Sequence, residues 1–415
     1  MGRLSRRAFA LVALSALATA GDGSAAPART RAPRPTAGAE QGEMRGVWLA
    51  TVQNRDWPSA PGLSPTEQRA ELTAHLDAAV RRRLNTVIFQ VRPTADALWP
   101  SPYEPWSQYL TGTQGRDPGW DPLGTAVTEA HARGLELHAW FNPLRVAAHT
   151  DPSRLVASHP ARQNPGWVVP YGGQLHYNAG LPEVRAFVRE AMLDAVEKYA
   201  VDGVHFDDYF YPYPVPGQSF DDDAAYDAHG GAFPDRAAWR RDNIDRLVRD
   251  MAADIKKVRP AARFGISPFG VWRNADNDPR GSDTRALQSY DDQHADTRKW
   301  VRENWIDYIC PQLYWHIGNQ AADYAKLVPW WAEVARGTGT QLYLGEALYR
   351  AGDPAQGSAW QDPAELSRHL TLAKDHPEVR GHVFFAAREV AADPAGAMAR
   401  VVADHYQRPA GTPTG

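Results

Sequence analysis

Residues 202–212 read Asp-Gly-Val-His-Phe-Asp-Asp-Tyr-Phe-Tyr-Pro, and the fold is legible in how this stretch begins and ends. A helical pattern over 182–199 precedes it, a return of a few residues leads into the apolar run from Gly203, and a long polar segment, 210–235, follows. A strand entered by a short turn and left by a long loop is one βα unit. At period 2, His205, Asp207 and Tyr209 share a face, so Asp207 is expected to look inward at the strand's end while Asp208 sits at the turn.

The same unit recurs along the chain. Strands are expected at 45–52, 86–92, 135–142, 203–209, 263–268, 306–314, 341–346 and 381–386, with helical patterns at 65–83, 122–133, 182–199, 236–258, 286–303, 321–335, 363–374 and 394–406. Ser64-Pro65 and Asp362-Pro363 suit an N-cap followed by a first-turn proline. Eight such units predict an α/β fold, a single (β/α)8 barrel of the triosephosphate-isomerase type. An open doubly wound sheet would ordinarily show a Gly-rich phosphate turn, and no strand end here has one. The segments 53–64, 93–121, 143–180, 210–235 and 269–285 are long, and long βα loops build the catalytic end of a barrel.

The chain has 415 residues, and its 45 Lys+Arg against 49 Asp+Glu leave no basic excess of the kind nucleic-acid binding needs. At 43% hydrophobic it can bury a core, which excludes a disordered chain. Its 15 Trp, 16 Tyr and 12 Phe supply rings for packing and for exposed stacking surfaces. Cys310 is the single cysteine, so no intrachain disulfide forms, and within Tyr308-Ile309-Cys310 it reads as a core residue.

Arg6-Arg7 stand directly before an apolar run, 8–20, too short to span a bilayer. This reads as a twin-arginine export signal over 1–28, followed by a flexible leader at 29–42, the catalytic domain at 43–408 and a disordered tail at 409–415. The expected localisation is secreted or cell-wall associated, without stable membrane insertion after signal cleavage.

Adjacent Asp207 and Asp208 cannot both ionise cheaply, so one pKa is expected to rise, as a general acid requires. The alternative is that one caps the loop and the other pairs with an arginine. Gln90 and Arg92 share a face on strand two; His138, Trp140 and Asn142 share one on strand three; Gln312 and Tyr314 share one on strand six. With His205, Tyr209 and Tyr211 they are expected to surround one mouth with donors, acceptors and ring faces suited to a neutral, hydroxyl-rich ligand. Trp99, Trp106, Trp272 and Trp315 read as stacking platforms or as ordinary packing. Glu346, closing strand seven, either faces Asp207 as the second of a carboxylate pair or pairs with Arg350 or Arg388. Glu104 is a further loop carboxylate with no role assigned by its position. No His-x-His, His-Glu-x-x-His or Gly-x-Ser-x-Gly motif occurs, so no metal or cofactor is expected. The acidic run Asp221-Asp222-Asp223 reads as a solvated loop.

The segments Met44-Arg45-Gly46-Val47-Trp48-Leu49, Gln90-Val91-Arg92-Pro93, His138-Ala139-Trp140-Phe141-Asn142-Pro143, 202–212, Pro268-Phe269-Gly270-Val271-Trp272-Arg273 and Pro311-Gln312-Leu313-Tyr314-Trp315 resemble the glycosyl-hydrolase-like family ten. The resemblance runs from about residue 43 to 390. It implies a barrel-fold glycoside hydrolase of bacterial envelopes, acting on a polysaccharide, with peptidoglycan glycan strands first. The family's Phe-Asp-Asp-Tyr segment falls on Phe206, Asp207, Asp208 and Tyr209. The Asp-Gly-x-x-x-Asp pattern also resembles amylase-like enzymes, whose nucleophile would fall on Asp207, and chitinase-like enzymes, which use the substrate's N-acetyl group. The second needs only an acid and a carboxylate to orient the acetamide, and Asp207 and Asp208 supply both. A non-catalytic carbohydrate-binding barrel would keep the aromatics without needing the two carboxylates.

Overall fold

Short runs of β-branched and aromatic residues, each entered by a tight return, close on themselves in the computed structural model, which describes residues 42–413. The expected export signal and nearly all of the leader lie outside the described residues. Eight parallel strands form the barrel: β1 (Met44–Leu49), β2 (Thr86–Arg92), β3 (Glu136–Phe141), β4 (Gly203–Phe206), β5 (Arg263–Ile266), β6 (Tyr308–Ile309), β7 (Gln341–Glu346) and β8 (Val379–Phe385). They pair in chain order, and β8 closes on β1 with Met44 opposite Gly381 and Trp48 opposite Phe385. Outside lie α1 (Pro65–Arg81), α2 (Pro122–Ala132), α3 (Pro182–Lys198), α4 (Arg236–Val258), α5 (Thr297–Arg302), α6 (Tyr324–Ala335), α7 (Glu365–Ala373) and α8 (Ala397–His405). The Ser64 hydroxyl and the Glu67 carboxylate cap α1 reciprocally, with Pro65 in the first turn.

Three expected elements come out differently. The helix expected over 286–303 is broken into Ser289–Asp292 and α5, because His294 between them takes a left-handed φ of 51° that no helix accommodates. The strand expected over 306–314 contracts to β6, since Pro311 has no N–H for the ladder; Gln312 rejoins its neighbours only through single bridges to Phe269 and Gly345. The tail expected from 409 is tied down in part: Gly411's carbonyl accepts from the buried Asn85 amide at 2.8 Å. Within 143–180 the chain builds a small antiparallel sheet from Arg145–Ala147, Val168–Tyr171 and Gln174–Tyr177.

Alternation along each strand divides the core into two layers. Val47, Val87, Phe89, Leu342 and Leu344 face the helices. Met44, Trp48, Ile88, Trp140, Tyr308 and Tyr343 fill the barrel. Rings this large fit only because glycines stand beside them. A Cβ on Gly265 would lie 2.0 Å from the Tyr308 ring, and one on Gly203 would lie 2.6 Å from the His138 ring.

The polar atoms of these rings satisfy one another down the axis. Trp48 Nε1 donates to His205 Nε2 at 3.2 Å, His205 Nδ1 meets the Tyr308 hydroxyl at 3.0 Å, and that hydroxyl meets His138 Nδ1 at 2.8 Å.

Glu346 lies on the helix-facing layer, not at the mouth. It shares the parity of Leu342 and Leu344, and its side chain is fully buried between sheet and helices. Its carboxylate accepts from the Tyr324 hydroxyl at 2.7 Å, His369 Nδ1 at 2.8 Å and His382 Nδ1 at 2.9 Å. Burial pushes this carboxyl up, but the two imidazoles outweigh it and hold it down at about 2. Burial likewise opposes the charge on His369, and Glu346 and Glu365 overcome it and raise its pKa. The expectation that Glu346 faces Asp207 is therefore corrected: it is an anchor joining β7 and β8 to α6 and α7.

Two stability measurements check this account. Gly265→Ala should cost about 1–3 kcal/mol by overpacking against Tyr308, read as a lower melting temperature. Glu346→Gln should cost about 3–5 kcal/mol, because it takes from the buried His369 imidazolium the nearer of its two carboxylates. The His369 contribution is present below the unfolded histidine pKa of about 6.5 and fades as pH rises through the raised folded value. The difference in urea midpoint between wild type and Glu346→Gln should accordingly be larger at pH 5.5 than at pH 9. Equal midpoints at pH 5.5 would show that the cluster stabilises nothing.

Candidate active site

β4 ends at Phe206, and the Phe210 N–H turns back onto the Asp208 carbonyl at 3.1 Å. Asp207 is thus the last inward position and Asp208 the first of the turn, and both carboxylates enter one cavity of about 240 Å³ at the C-terminal ends of the strands. Among the described residues they are the only carboxylates lining it.

Asp207 is 3% exposed and is surrounded by neutral donors. Trp140 Nε1 donates to Oδ2 at 3.0 Å, Asn142 Nδ2 reaches both oxygens at 3.1 and 3.2 Å, and the Tyr209 N–H donates to Oδ1 at 3.2 Å. Burial pushes its carboxyl up to about 6; Arg145 opposes that rise and the Asp208 charge adds to it. Asp208 is raised as well, again by burial, against the Tyr213 hydroxyl and the Gln312 amide that donate to it.

The floor is formed by Trp48 and Ser267, both hydrogen-bonded to His205 Nε2, with the Ser267 hydroxyl at 2.8 Å. Gln90 lies on one wall. Its Oε1 accepts the Thr51 and Val52 N–H groups, each at 2.9 Å, and its Nε2 has no protein acceptor. Tyr314 stands opposite, its ring 6.1 Å from Phe385 and 5.8 Å from Tyr349.

Gln90, Trp140, Asp207, Asp208, Tyr209, Gln312 and Tyr314 come together as expected from alternation. Asn142 acts from behind, holding Asp207. His205 lies one layer below the cavity, as a support for its floor.

Four expected contacts are corrected. Arg92 follows a register shift opposite β3, so it leaves the inner face and is clamped, fully buried, by Glu104 at 2.5 Å and by the carbonyls of Asn142 and Pro143. Trp272 is buried and donates to Asp296 at 2.9 Å, and Trp315 packs edge-on against Phe269. Tyr211 turns away: along 209–214, Tyr209 and Tyr213 face this cavity, while Tyr211, Pro212 and Pro214 line a second one of about 320 Å³.

Of the loop tryptophans, Trp99 is buried on Asp194 at 2.7 Å and Trp106 packs on the core. Asp222, expected in a solvated loop, is 1% exposed and paired with Arg240 at 2.6 Å.

Sequence reading missed Trp48, Ser267, Tyr213 and Arg145. The first three carried a signal: Trp48 is inward by parity on β1, Ser267 follows β5 directly, and Tyr213 continues the parity of Tyr209. Arg145 carried none, because the small sheet that places it is invisible in the loop's composition.

Comparison with known proteins agrees with this geometry. The family described as Glycosyl hydrolase-like 10 matches residues 43–362. The glycosyl hydrolase YngK of Bacillus subtilis (strain 168) is 47% identical over 377 residues, 89% of this chain and 73% of that protein. The glycosyl hydrolase DigH of Escherichia coli (strain K12) is 41% identical over 379 residues, 86% of each. The catalytic domain of beta-amylase from Paenibacillus polymyxa superposes with a TM-score of 0.54 at 9% identity, over 89% of this chain and 99% of that one, a likeness of fold alone. A barrel with a buried aspartate pair at the end of β4, matched by that family over most of its length, belongs to the glycosyl hydrolase-like 10 family and is a glycoside hydrolase.

Proposed function

We propose that the enzyme cleaves N-acetylated glycan strands, peptidoglycan first, with the substrate's own acetamide as nucleophile. The observation that carries this reading is the carboxylate inventory of the cavity. With Glu346 committed to two histidines behind the sheet, the described cavity offers only Asp207 and Asp208, which stand side by side. Asp207, with its pKa near 6 and donors that are all uncharged, keeps a proton for the leaving glycosidic oxygen. Asp208, oriented by Tyr213 and Gln312, accepts the acetamide N–H and turns its carbonyl oxygen toward the anomeric carbon. The oxazolinium ion so formed is opened by water, which returns its proton to Asp207. The anomeric configuration is retained. Gln90 Nε2 and the faces of Trp140 and Tyr314 supply a donor and apolar walls for the sugar.

The reading also places the enzyme outside the cytoplasmic membrane, on the strength of Arg6-Arg7 and the apolar run behind them. Replacing both arginines by lysine should leave the precursor inside the cell, measured by fractionation; normal export of that variant would remove the localisation claim.

Asp207→Asn and Asp208→Asn should each lower kcat on purified glycan strands by at least about a hundredfold, with circular dichroism unchanged. Because the acid must be protonated, kcat/KM should fall about tenfold per pH unit above about pH 6. A thiazoline analogue of N-acetylglucosamine should compete with substrate and bind more tightly than the parent sugar. Failure of that analogue to inhibit, together with a glycosyl ester trapped on Asp207, would replace this mechanism by double displacement.

A further inference from the structure

The segment 209–216, which follows Asp208, reads Tyr-Phe-Tyr-Pro-Tyr-Pro-Val-Pro, with three X-Pro steps in succession from Tyr211. Proline fixes its own φ and biases the residue before it to extended backbone, so this strap alternates sides as a strand does. Tyr213 accordingly turns to the catalytic cavity and Tyr211 to the second one, of about 320 Å³, and the strap is a wall that both share. The inserted sheet supplies another wall through Tyr171, whose hydroxyl accepts the Val215 N–H at 2.7 Å and pins the strap. Phe220 stands edge-on to both rings, 6.0 Å from Tyr171 and 5.4 Å from Tyr211.

Most of the charge in this second cavity is balanced within its walls. Arg240 of α4 grips Asp222 through two hydrogen bonds, at 2.6 and 2.8 Å, and Arg273 holds Asp291 at 2.8 and 3.1 Å. His294 is neutral, held at about 3 by burial and by the Arg240 and Arg241 charges. Its Nε2 accepts an Arg240 N–H at 3.3 Å, so Nδ1 carries the proton, and no protein acceptor meets it among the described residues. Its left-handed φ of 51° is strained for a histidine, and such strain gathers at ligand sites. Asp292 takes the Gln288 N–H through one oxygen, at 2.7 Å, which leaves the other as an acceptor. Ring faces, a neutral N–H and a carboxylate oxygen are the equipment for an uncharged sugar ring, and the volume lies at the low end of the roughly 300–1,000 Å³ usual for small-ligand sites.

Two contacts lead from this cavity to Asp208. Tyr213, on the shared strap, donates its hydroxyl to the carboxylate, and Gln293, next to His294 and 1% exposed, donates Nε2 to the Asp208 carbonyl at 2.8 Å. We propose that the second cavity is a saccharide pocket whose occupant steadies Asp208 through the wall the two cavities share. The occupant is a remote sugar of the glycan being cut or a separate short glycan, one chemistry from two sources. The inference rests on the glycan-hydrolase reading for the class of ligand.

The test is photolabelling with N,N′-diacetylchitobiose that carries a diazirine on its acetyl group. On illumination wild type should be labelled within 210–220 or 288–295, mapped by mass spectrometry, and excess plain chitobiose should suppress that label, a comparison that needs no variant. Ser219 lines the pocket from the exposed surface, so Ser219→Trp fills it without removing a wall. That variant should lose the label about tenfold, the scale of one stacked contact, while Ser219→Ala keeps it. The kinetics separate the two sources. With a remote sugar of the same chain, Ser219→Trp raises KM about tenfold on long glycan strands and leaves tetrasaccharides unaffected. With a separate glycan, added chitobiose changes kcat on tetrasaccharides in wild type, and Ser219→Trp abolishes the response. A label absent from these segments, or unreduced by plain chitobiose or by Ser219→Trp, would overturn the pocket. A label with neither kinetic effect would overturn its link to Asp208. Labelling needs no turnover, so a protein labelled there that cleaves nothing would sink the hydrolase reading and leave the pocket standing.

Discussion

The indole N–H of Trp48 can only donate, and its bond to His205 Nε2 sets the direction of every hydrogen bond down the barrel axis. With Nε2 accepting, Nδ1 carries the proton and donates to the Tyr308 oxygen, and the Tyr308 hydroxyl donates to His138 Nδ1. Burial keeps His205 well below its ordinary pKa, so the imidazole directly beneath the cavity is neutral. That neutrality matters two residues further along β4. An imidazolium there would favour the ionised form of Asp207. The glycines at 203 and 265 belong to the same constraint, because they make room for the rings that carry the column.

Two fully enclosed carboxylates, Asp207 and Glu346, show how neighbours decide what burial alone leaves open. Burial is the leading influence on both, and it acts upward in each case. Asp207 accepts from an indole, an amide and a peptide N–H, and the Arg145 charge that draws it down is countered by Asp208, so it stays near 6. Glu346 is met by two imidazoles and a phenol and falls to about 2. The first is poised to exchange a proton near neutrality, and the second is a permanent anion. The barrel separates the two roles by parity: one side chain points to the mouth, the other to the helices.

That parity was legible in the sequence, and so was most of the fold. Strand β2, strand β7 and helix α4 fall at their expected bounds, because their apolar periods are uninterrupted. Asp207 was found by alternation from Gly203, and Asp208 by the turn that ends the strand. The same alternation applied to β7 would have turned Glu346 away from the mouth, since Leu342 and Leu344 share its face. Arg92 could not be placed that way, because a register shift between neighbouring strands leaves no mark in one strand's pattern. Arg145 was beyond reach for a different reason. Its position depends on three short strands pairing within a loop, a tertiary event with no local period.

Asn142 ties that insertion to the chemistry. Its Nδ2 holds Asp207, while its Oδ1 accepts the N–H of Arg145 at 2.8 Å and of Leu144 at 3.3 Å. One amide side chain therefore sets both the orientation of the Asp207 carboxyl and the departure angle of the 143–180 segment. Barrels diversify by exchanging loops over a constant frame, and this joint limits that freedom. A transplanted insertion that met Asn142 at another angle would arrive with Asp207 already misaligned. The segment and the strand end that carries it are held by one shared side chain.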